Sequence, residues 1–164
     1  MSAETEAVTR QWLHYAEGDL LSAKVLAASN DLPPRNACYL AQQCAEKALK
    51  AVLITVNIEP LRTHDLDALV QRMPEEQKES FVDFDPSWLS EWCVEARYPS
   101  ASTTLQKQEI SRDALHILAV TFSIFLYAGC LFIKNLYVVN NTHHYYHPNI
   151  QPNPRCYCRS QKYQ

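Results

Sequence analysis

The chain has 164 residues, of which 47% are hydrophobic, and its formal net charge is -3. These figures supply apolar side chains for one sizeable core, exclude global disorder and leave no room for two ordinary domains. The chain contains two glycines, Gly18 and Gly129, which excludes the glycine-rich loops of P-loop, dinucleotide-binding and serine-hydrolase sites.

Two long amphipathic helices are predicted in the first third of the chain. In the first, over residues 4–28, apolar side chains recur every three or four positions, at Trp12, Tyr15, Ala16, Leu20, Ala23 and Ala27. Pro33 and Pro34 end this segment and can open the next helix. That second helix, over residues 35–56, has an apolar face of Leu40, Ala41, Cys44, Ala48, Leu49, Val52 and Leu53.

Shorter helical segments follow. Thr63 is predicted to cap a short helix that runs to Met73, which would place His64 in its first turn. Residues 74–84 are acidic and predict another helical turn, and Pro86 is placed to open a helix that ends before Pro99. A last helix is predicted over residues 106–126. No alternating apolar pattern competes with these periods, so the fold class is all-α.

Charge separates the chain into two parts. The 18 acidic residues all lie between Glu4 and Asp113, so the first 126 residues carry -7 and the remainder carries +4. From residue 140 onward the sequence is rich in Asn, His, Tyr, Pro and Gln and nearly lacks aliphatic side chains. We therefore divide the chain into a helical domain at 5–126 and an irregular, poorly ordered C-terminal extension at 127–164.

Residues 117–133 form a stretch of 17 residues without a charge. Such a stretch predicts either a membrane anchor or the buried last helix of a bundle. We favour the buried helix, since Thr121, Ser123 and Gly129 dilute its hydrophobicity. The sequence shows no secretory signal, and three of the six cysteines lie in apolar helical patterns. We therefore expect a cytoplasmic protein with reduced cysteines and no membrane association.

The second predicted helix carries a polar face opposite its apolar one. Gln43 and Lys47 are four residues apart, as are Glu46 and Lys50, so these four side chains occupy adjacent turns. A glutamate four residues before a lysine is the favourable order for an ion pair on a helix surface. Taken alone, this pattern predicts a solvated helix face.

Three sequence motifs in this order resemble the HEPN domain family. The second helix contains the run Gln42-Gln43-Cys44-Ala45-Glu46-Lys47-Ala48-Leu49-Lys50-Ala51, and it is followed by Thr63-His64-Asp65-Leu66 and then by Ala96-Arg97-Tyr98-Pro99. The first helix is similar to that of the family at Trp12, Ala16, Asp19, Leu20 and Ala23. The resemblance covers residues 11–126 and is to the branch often encoded beside a minimal nucleotidyltransferase.

The resemblance implies an up-and-down bundle of four to five helices that forms a homodimer. It also implies binding of a nucleotide or RNA phosphate group and pairing with a small nucleotidyltransferase, in a toxin–antitoxin-like system. The ligand-binding residues that match the motifs are Gln43, Glu46, Lys47, Lys50, His64, Arg97 and Tyr98. Among them, Glu46 is expected to orient Lys50 or Arg97 rather than to transfer protons.

Ribonucleases of the family carry an arginine followed, after four to six residues, by a histidine. No histidine follows Arg97 at that spacing, and the pairs Arg10/His14 and Arg112/His116 are one residue short. We therefore expect a non-catalytic module, with Arg97 and His64 as the candidates for any residual catalysis. The alternatives are a metal-independent RNase with a degenerate site and a helical protein anchored in a membrane through residues 117–133.

No cofactor or metal is expected. Asp65 and Asp67 form an Asp-x-Asp pair, but no Gly-Ser loop precedes it, and side chains two apart on a helix point in different directions. The extension contains His143, His144, His147, Cys156 and Cys158, whose spacing is not that of a zinc finger.

Overall fold

The computed structural model describes residues 1–29, 31–81, 89–90 and 107–144, and within the last range it describes side chains at 119–138. In these residues the regular structure is helical and no strand occurs, which confirms the predicted all-α class. The helix predicted between Pro86 and Pro99 lies largely outside them. Of that segment Leu89 and Ser90 are described; both are helical, and Leu89 is buried.

Helix α1 spans Ala3–Ala27 and helix α2 spans Pro34–Thr55. The Ser2 hydroxyl caps α1 by accepting a hydrogen bond from the Thr5 backbone N–H at 3.0 Å. Pro34 begins α2, where its missing N–H costs no helical hydrogen bond. The connection between the two helices is short, so they pack against each other as neighbours.

Helix α2 is the centre of the core. Alanines at four-residue and three-residue steps are fully buried along it, and their small side chains let neighbouring helices approach closely; they are Ala37, Ala41, Ala45 and Ala48. Leu49, Val52 and Leu53 complete the buried face. Because α2 packs against α1, against α3 and against the long C-terminal helix, most of its surface is covered.

Two cysteines of α2, Cys38 and Cys44, are buried in the core, as their apolar helical pattern predicts. Burial, assisted by the negative charge of Asp19, raises the pKa of the Cys44 thiol from 9.0 to about 12. Cys44 is therefore an unreactive thiol at neutral pH.

After α2 the chain forms α3 at Leu66–Gln71, α4 at Glu75–Lys78 and a 3-10 turn at Glu79–Phe81. Leu66 and Leu69 of α3 are fully buried in the core. The prediction that Thr63 caps this helix is wrong. Asp65 is the cap, since its Oδ1 accepts a hydrogen bond from the Ala68 N–H at 3.1 Å.

Thr63 stabilises the turn before α3 and does not cap the helix. Its hydroxyl accepts a hydrogen bond from the Asp65 N–H at 3.1 Å and so shapes the turn that leads into α3. His64 therefore precedes the helix and does not lie in its first turn.

Helix α5 spans Lys107–His144. Side chains at three- and four-residue steps on one side of it are buried, at Thr121, Ile124, Ala128 and Phe132. The Thr121 hydroxyl donates a hydrogen bond to the Ala41 carbonyl of α2 at 3.3 Å. The helix does not end at Leu126, where the domain boundary was placed, because the apolar spacing continues through Ala128 and Phe132.

Helices α1 and α5 run antiparallel. The Arg10 guanidinium lies 5.3 Å from the centre of the Phe132 ring, and the Lys24 ammonium lies 4.7 Å from that of Phe122. The residue nearer the start of α1 thus contacts the residue nearer the end of α5, as expected for antiparallel helices. Each cation lies over an aromatic face, an arrangement that is weakly attractive at exposed sites.

The other side of α5 carries exposed apolar side chains, and Lys24 of α1 lies over one of them, Phe122. Phe122, Leu126, Ile133 and Tyr137 are exposed there and recur at steps of four, seven and four, so they form one line, which we call the apolar stripe. The segment Ala119–Val138 is long and apolar enough to cross a membrane, and 22% of it is buried. Among the described residues, one face of α5 therefore packs on the bundle and the other is largely exposed.

Candidate functional site

The polar face of α2 is covered by other parts of the molecule. Gln42, Glu46 and Lys50 lie on it at four-residue steps and are buried. The Lys50 ammonium lies 5.5 Å from the centre of the Trp12 ring of α1, and the turn containing His64 covers Glu46. The spacing alone predicts a solvated helix face, and that prediction is wrong. Residues of α1 and of this turn cover the face, which local spacing does not reveal.

Glu46 is the centre of the buried cluster. Lys50 Nζ donates a hydrogen bond to its Oε1 at 2.7 Å, which confirms the predicted pair, and His64 Nδ1 lies 2.9 Å from its Oε2. Gln42 Nε2 donates a longer hydrogen bond to the same Oε2 at 3.4 Å. Since the Glu46 side chain is 7% exposed, these neighbours replace the water that a carboxylate normally binds.

Opposing effects set the pKa of Glu46. Burial raises the pKa of a carboxyl group, whereas the hydrogen bonds and charges of Lys50 and His64 lower it. The lowering effects together are larger, so the pKa of Glu46 lies below its ordinary value of 4.5. Glu46 is therefore ionised at neutral pH, and both of its oxygens act only as hydrogen-bond acceptors.

His64 is the point at which the cluster reaches the surface. Its side chain is 62% exposed, while hydrogen bonds hold its carbonyl group and the backbone that follows it. Gln42 Nε2 donates to the His64 carbonyl at 3.2 Å, and the Ser90 hydroxyl accepts from the Leu66 N–H at 3.0 Å. The His64 ring thus forms a hydrogen bond through Nδ1 to the buried carboxylate of Glu46, and Nε2 lies on the opposite side of the ring from Glu46.

A second part of the cluster extends toward α1. Lys47 forms an ion pair with Asp19 and also donates to Gln43 Oε1 at 3.4 Å. Gln43 Nε2 then donates to Gln42 Oε1 at 3.1 Å. The hydrogen bonds therefore run without a break from Asp19 on α1 to His64, across two adjacent faces of α2.

The cluster is electrically balanced when His64 is neutral. Asp19 faces Lys47, and Glu46 faces Lys50, so each lysine already has a carboxylate partner. A protonated His64 adds the one unmatched positive charge of these five groups, at the surface. The imidazole is thus the member of the cluster that is placed to meet an external anion.

The structure brings together five of the residues expected to bind a ligand, namely Gln43, Glu46, Lys47, Lys50 and His64. Arg97 and Tyr98 lie outside the described residues. The expected site residues did not include Gln42 or Asp19. Gln42 is four residues before Glu46, a spacing that could have identified it, whereas the Asp19–Lys47 pair joins different helices and has no local signal.

One of the two aspartates of the Asp-x-Asp pair accepts a backbone hydrogen bond at the start of α3. Asp65 caps α3, and Asp67 is exposed in the first turn of that helix. Across the parts of the chain that the structure describes, there is no group of three or more side chains placed to hold a metal ion. The cysteines and histidines of the extension that were weighed as metal ligands lie outside the described side chains.

Comparison with known proteins gives a consistent family. The sequence model of the HEPN domain matches residues 9–127. A crystal structure of an archaeal HEPN homologue is similar to this chain with 26% sequence identity and a TM-score of 0.57, and the similarity covers 76% of this chain and 97% of that one. A search of curated proteins found no match.

Proposed function

Since the chain belongs to the HEPN domain family, we propose that it is a helical binding module that takes a phosphate group of a nucleotide or RNA at His64 and pairs with a small nucleotidyltransferase. The observation that carries this proposal is the hydrogen bond between His64 and the buried Glu46. It fixes an exposed imidazole in one orientation at the end of a balanced cluster of charges. The family resemblance supplies the nucleotide or RNA and the partner.

A protonated imidazole is a suitable ligand for one phosphate group. Its outward N–H donates a charge-assisted hydrogen bond to a phosphate oxygen, and its Nδ1–H keeps the hydrogen bond to Glu46. Lys47 and Lys50 are already paired with carboxylates, so in this proposal they support the site rather than contact the ligand. Arg97 and Tyr98 are included in the proposed site because they match the family motif.

The charge of the molecule favours a small ligand over long nucleic acid. The first 126 residues carry -7, whereas non-specific nucleic-acid binding depends on many cations that release counterions. A mononucleotide, or one phosphate at an RNA end, requires a single well-placed donor. The proposal is therefore a local site and not a basic surface.

The same proposal includes two protein partners, a second copy of the chain and a small nucleotidyltransferase. The apolar stripe on α5 is a row of exposed apolar side chains, and exposed apolar surfaces commonly mark sites of protein association. A homodimer and a nucleotidyltransferase complex both offer ways to cover it. A cytoplasmic location remains an expectation of the sequence.

Calorimetric titration of the protein with mononucleotides and short RNAs tests the ligand. We expect His64→Ala to lower the affinity about tenfold or more, because a hydrogen bond to a charged group contributes about 1.5–3 kcal/mol. His14→Ala is the matched control, since His14 is an exposed histidine on α1 that has no carboxylate in hydrogen-bond contact among the residues that the structure describes. Absence of binding, or equal affinities for the wild type and His64→Ala, contradicts the proposal.

A metal-independent RNase is the second candidate, and the same hydrogen bond favours it. A carboxylate that orients a histidine is the arrangement of a general base, which can take the proton of an RNA 2′-hydroxyl. Cleavage of RNA in EDTA, lost in both His64→Ala and Arg97→Ala, supports this reading. Intact RNA at high protein concentration removes it.

A further inference from the structure

We propose that His64 is a covalent phosphoryl-acceptor site, with Nε2 as the nucleophile and Glu46 as the residue that positions it. The ligand class is a phosphoryl donor, meaning a phosphoric anhydride or a phosphoramidate. The observation behind this proposal is an exposed histidine whose other nitrogen is bonded to a buried carboxylate at 2.9 Å. Reversible phosphate binding does not require such a nucleophile, so the inference goes beyond the proposed function.

The hydrogen-bond inventory fixes the tautomer of the neutral ring. An ionised carboxylate can only accept, so the short contact between Glu46 Oε2 and His64 Nδ1 requires the proton to be on Nδ1. A neutral imidazole has one protonated nitrogen. Its lone pair is therefore on Nε2, the nitrogen on the side of the ring away from Glu46.

The carboxylate is itself held in place. Lys50 occupies its other oxygen at 2.7 Å, and Gln42 donates to both Glu46 and the carbonyl of His64. A nucleophile oriented by a base or carboxylate that is fixed by a third group is the arrangement of activated residues in enzymes. The backbone bonds around His64 add to this, because they limit the motion of the ring.

The protonation of the ring separates this role from phosphate binding. When protonated, Nε2 has no lone pair and serves as a donor to a phosphate oxygen. When neutral, Nε2 has a lone pair and can attack phosphorus. The two roles thus use one atom in two protonation states.

The step balances without a further reactant. The Nε2 lone pair forms a bond to the phosphorus of the donor, and the bond between phosphorus and the leaving group breaks. The leaving group keeps that electron pair; phosphoramidate carries the required proton on its own nitrogen at neutral pH, so its leaving group is ammonia. The Nδ1 proton stays in the hydrogen bond to Glu46, whose negative charge stabilises the positive charge that develops on the ring.

The test is chemical phosphorylation of the full chain by potassium phosphoramidate at neutral pH. The product is measured by phosphorus NMR, which distinguishes the two ring nitrogens, and by mapping of peptides kept at neutral pH. We expect modification of His64 at Nε2 at about ten times the rate of His14 or more, since loss of an orienting partner commonly costs 10–100-fold. In Glu46→Gln the rate at His64 should fall to that of His14.

Three results overturn the proposal: equal rates at His64 and His14, modification of His64 at Nδ1, or a rate at His64 that Glu46→Gln leaves unchanged. Glu46→Gln leaves Lys50 without its partner and can impair folding, so a measurement on the wild type accompanies it. Nitrogen NMR of the neutral ring should show the proton on Nδ1, and a proton on Nε2 contradicts the proposal. Calorimetry with mononucleotides reports on the proposed function separately, so the two can fail independently.

Discussion

At the scale of single residues, burial distinguishes the Glu46–Lys50 ion pair from a surface pair with the same spacing. Glu46 and Glu6 each have a basic residue four positions later on the same helix. Glu6 and Arg10 make such a pair at the surface of α1, with Nη2 2.8 Å from Oε1, and exposed pairs of this kind contribute little. Glu46 and Lys50 have the same spacing, but both are buried. The difference lies in what covers them, namely Trp12 and the turn that contains His64.

We expect Glu46→Gln to lower the free energy of unfolding by about 3 kcal/mol at pH 7, because it leaves Lys50 buried without a counter-charge. The pKa of Glu46 is below its ordinary value in the folded state, so its contribution is complete above about pH 4.5. That contribution is lost as the pH falls below this value and through the pKa of the folded state. Urea unfolding of both proteins at pH 7 and at pH 3.5 measures the difference, which should shrink at the lower pH.

Glu6→Gln is the matched control for this measurement. Its effect should stay below about 1 kcal/mol at pH 7, since the Glu6–Arg10 pair is exposed. Equal losses in the two variants would show that Glu46 is no more important than a surface glutamate.

The sequence predicted the members of this cluster better than their surroundings. Spacing identified Glu46 and Lys50 as a pair, and the family motif added His64. Burial could not be predicted from spacing, because it depends on which residues of α1 and of the following turn cover α2. The Asp19–Lys47 pair spans 28 positions, and no local pattern predicts a contact between two helices at that separation.

At the scale of elements, helix interiors were predicted more accurately than helix ends. For α1 and α2 the predicted ranges of 4–28 and 35–56 differ by one residue at each end from Ala3–Ala27 and Pro34–Thr55. The start of α3 was misplaced because Thr63 and Asp65 are both good capping residues, and side-chain geometry decides between them. The end of α5 was misplaced because the composition changes before the apolar spacing does.

The cap of α3 gives a prediction at this scale. Asp65→Ala should lower the free energy of unfolding by about 1 kcal/mol, since the Ala68 N–H loses its acceptor. Asp67→Ala should have a smaller effect of about 0.5 kcal/mol or less, because Asp67 is exposed in the first turn, where a negative charge interacts with the helix dipole. Thermal and urea unfolding measure both. A loss of stability on adding EDTA to the wild type would instead indicate that the two aspartates hold a metal.

At the scale of the whole molecule, the two sides of α5 differ most. One side packs on the bundle through Ile124, Ala128 and Phe132, and the other presents the apolar stripe. A helix bound to the core along one side and through the Thr121 hydroxyl is unlike a lone spanning segment, which contacts lipid all round. This geometry favours a protein partner on the stripe.

We expect Leu126→Lys, in the middle of the stripe, to lower the mass measured by light scattering at concentrations at which the wild type is a dimer. A charge buried against an apolar partner lacks the water that stabilises it. Lys134→Glu is the control, because Lys134 is an exposed residue of the same helix outside the stripe. A wild type that is monomeric throughout, or that stays with membranes in a carbonate wash, contradicts a dimer through this face.

The hydrogen bonds that converge on Glu46 have a consequence for how the native state can be observed. The contact between Glu46 and His64 joins residues 18 positions apart and forms only when the turn before α3 has docked on α2. The nitrogen resonances of one imidazole, read at the surface of the protein, thus report whether this turn is docked on α2.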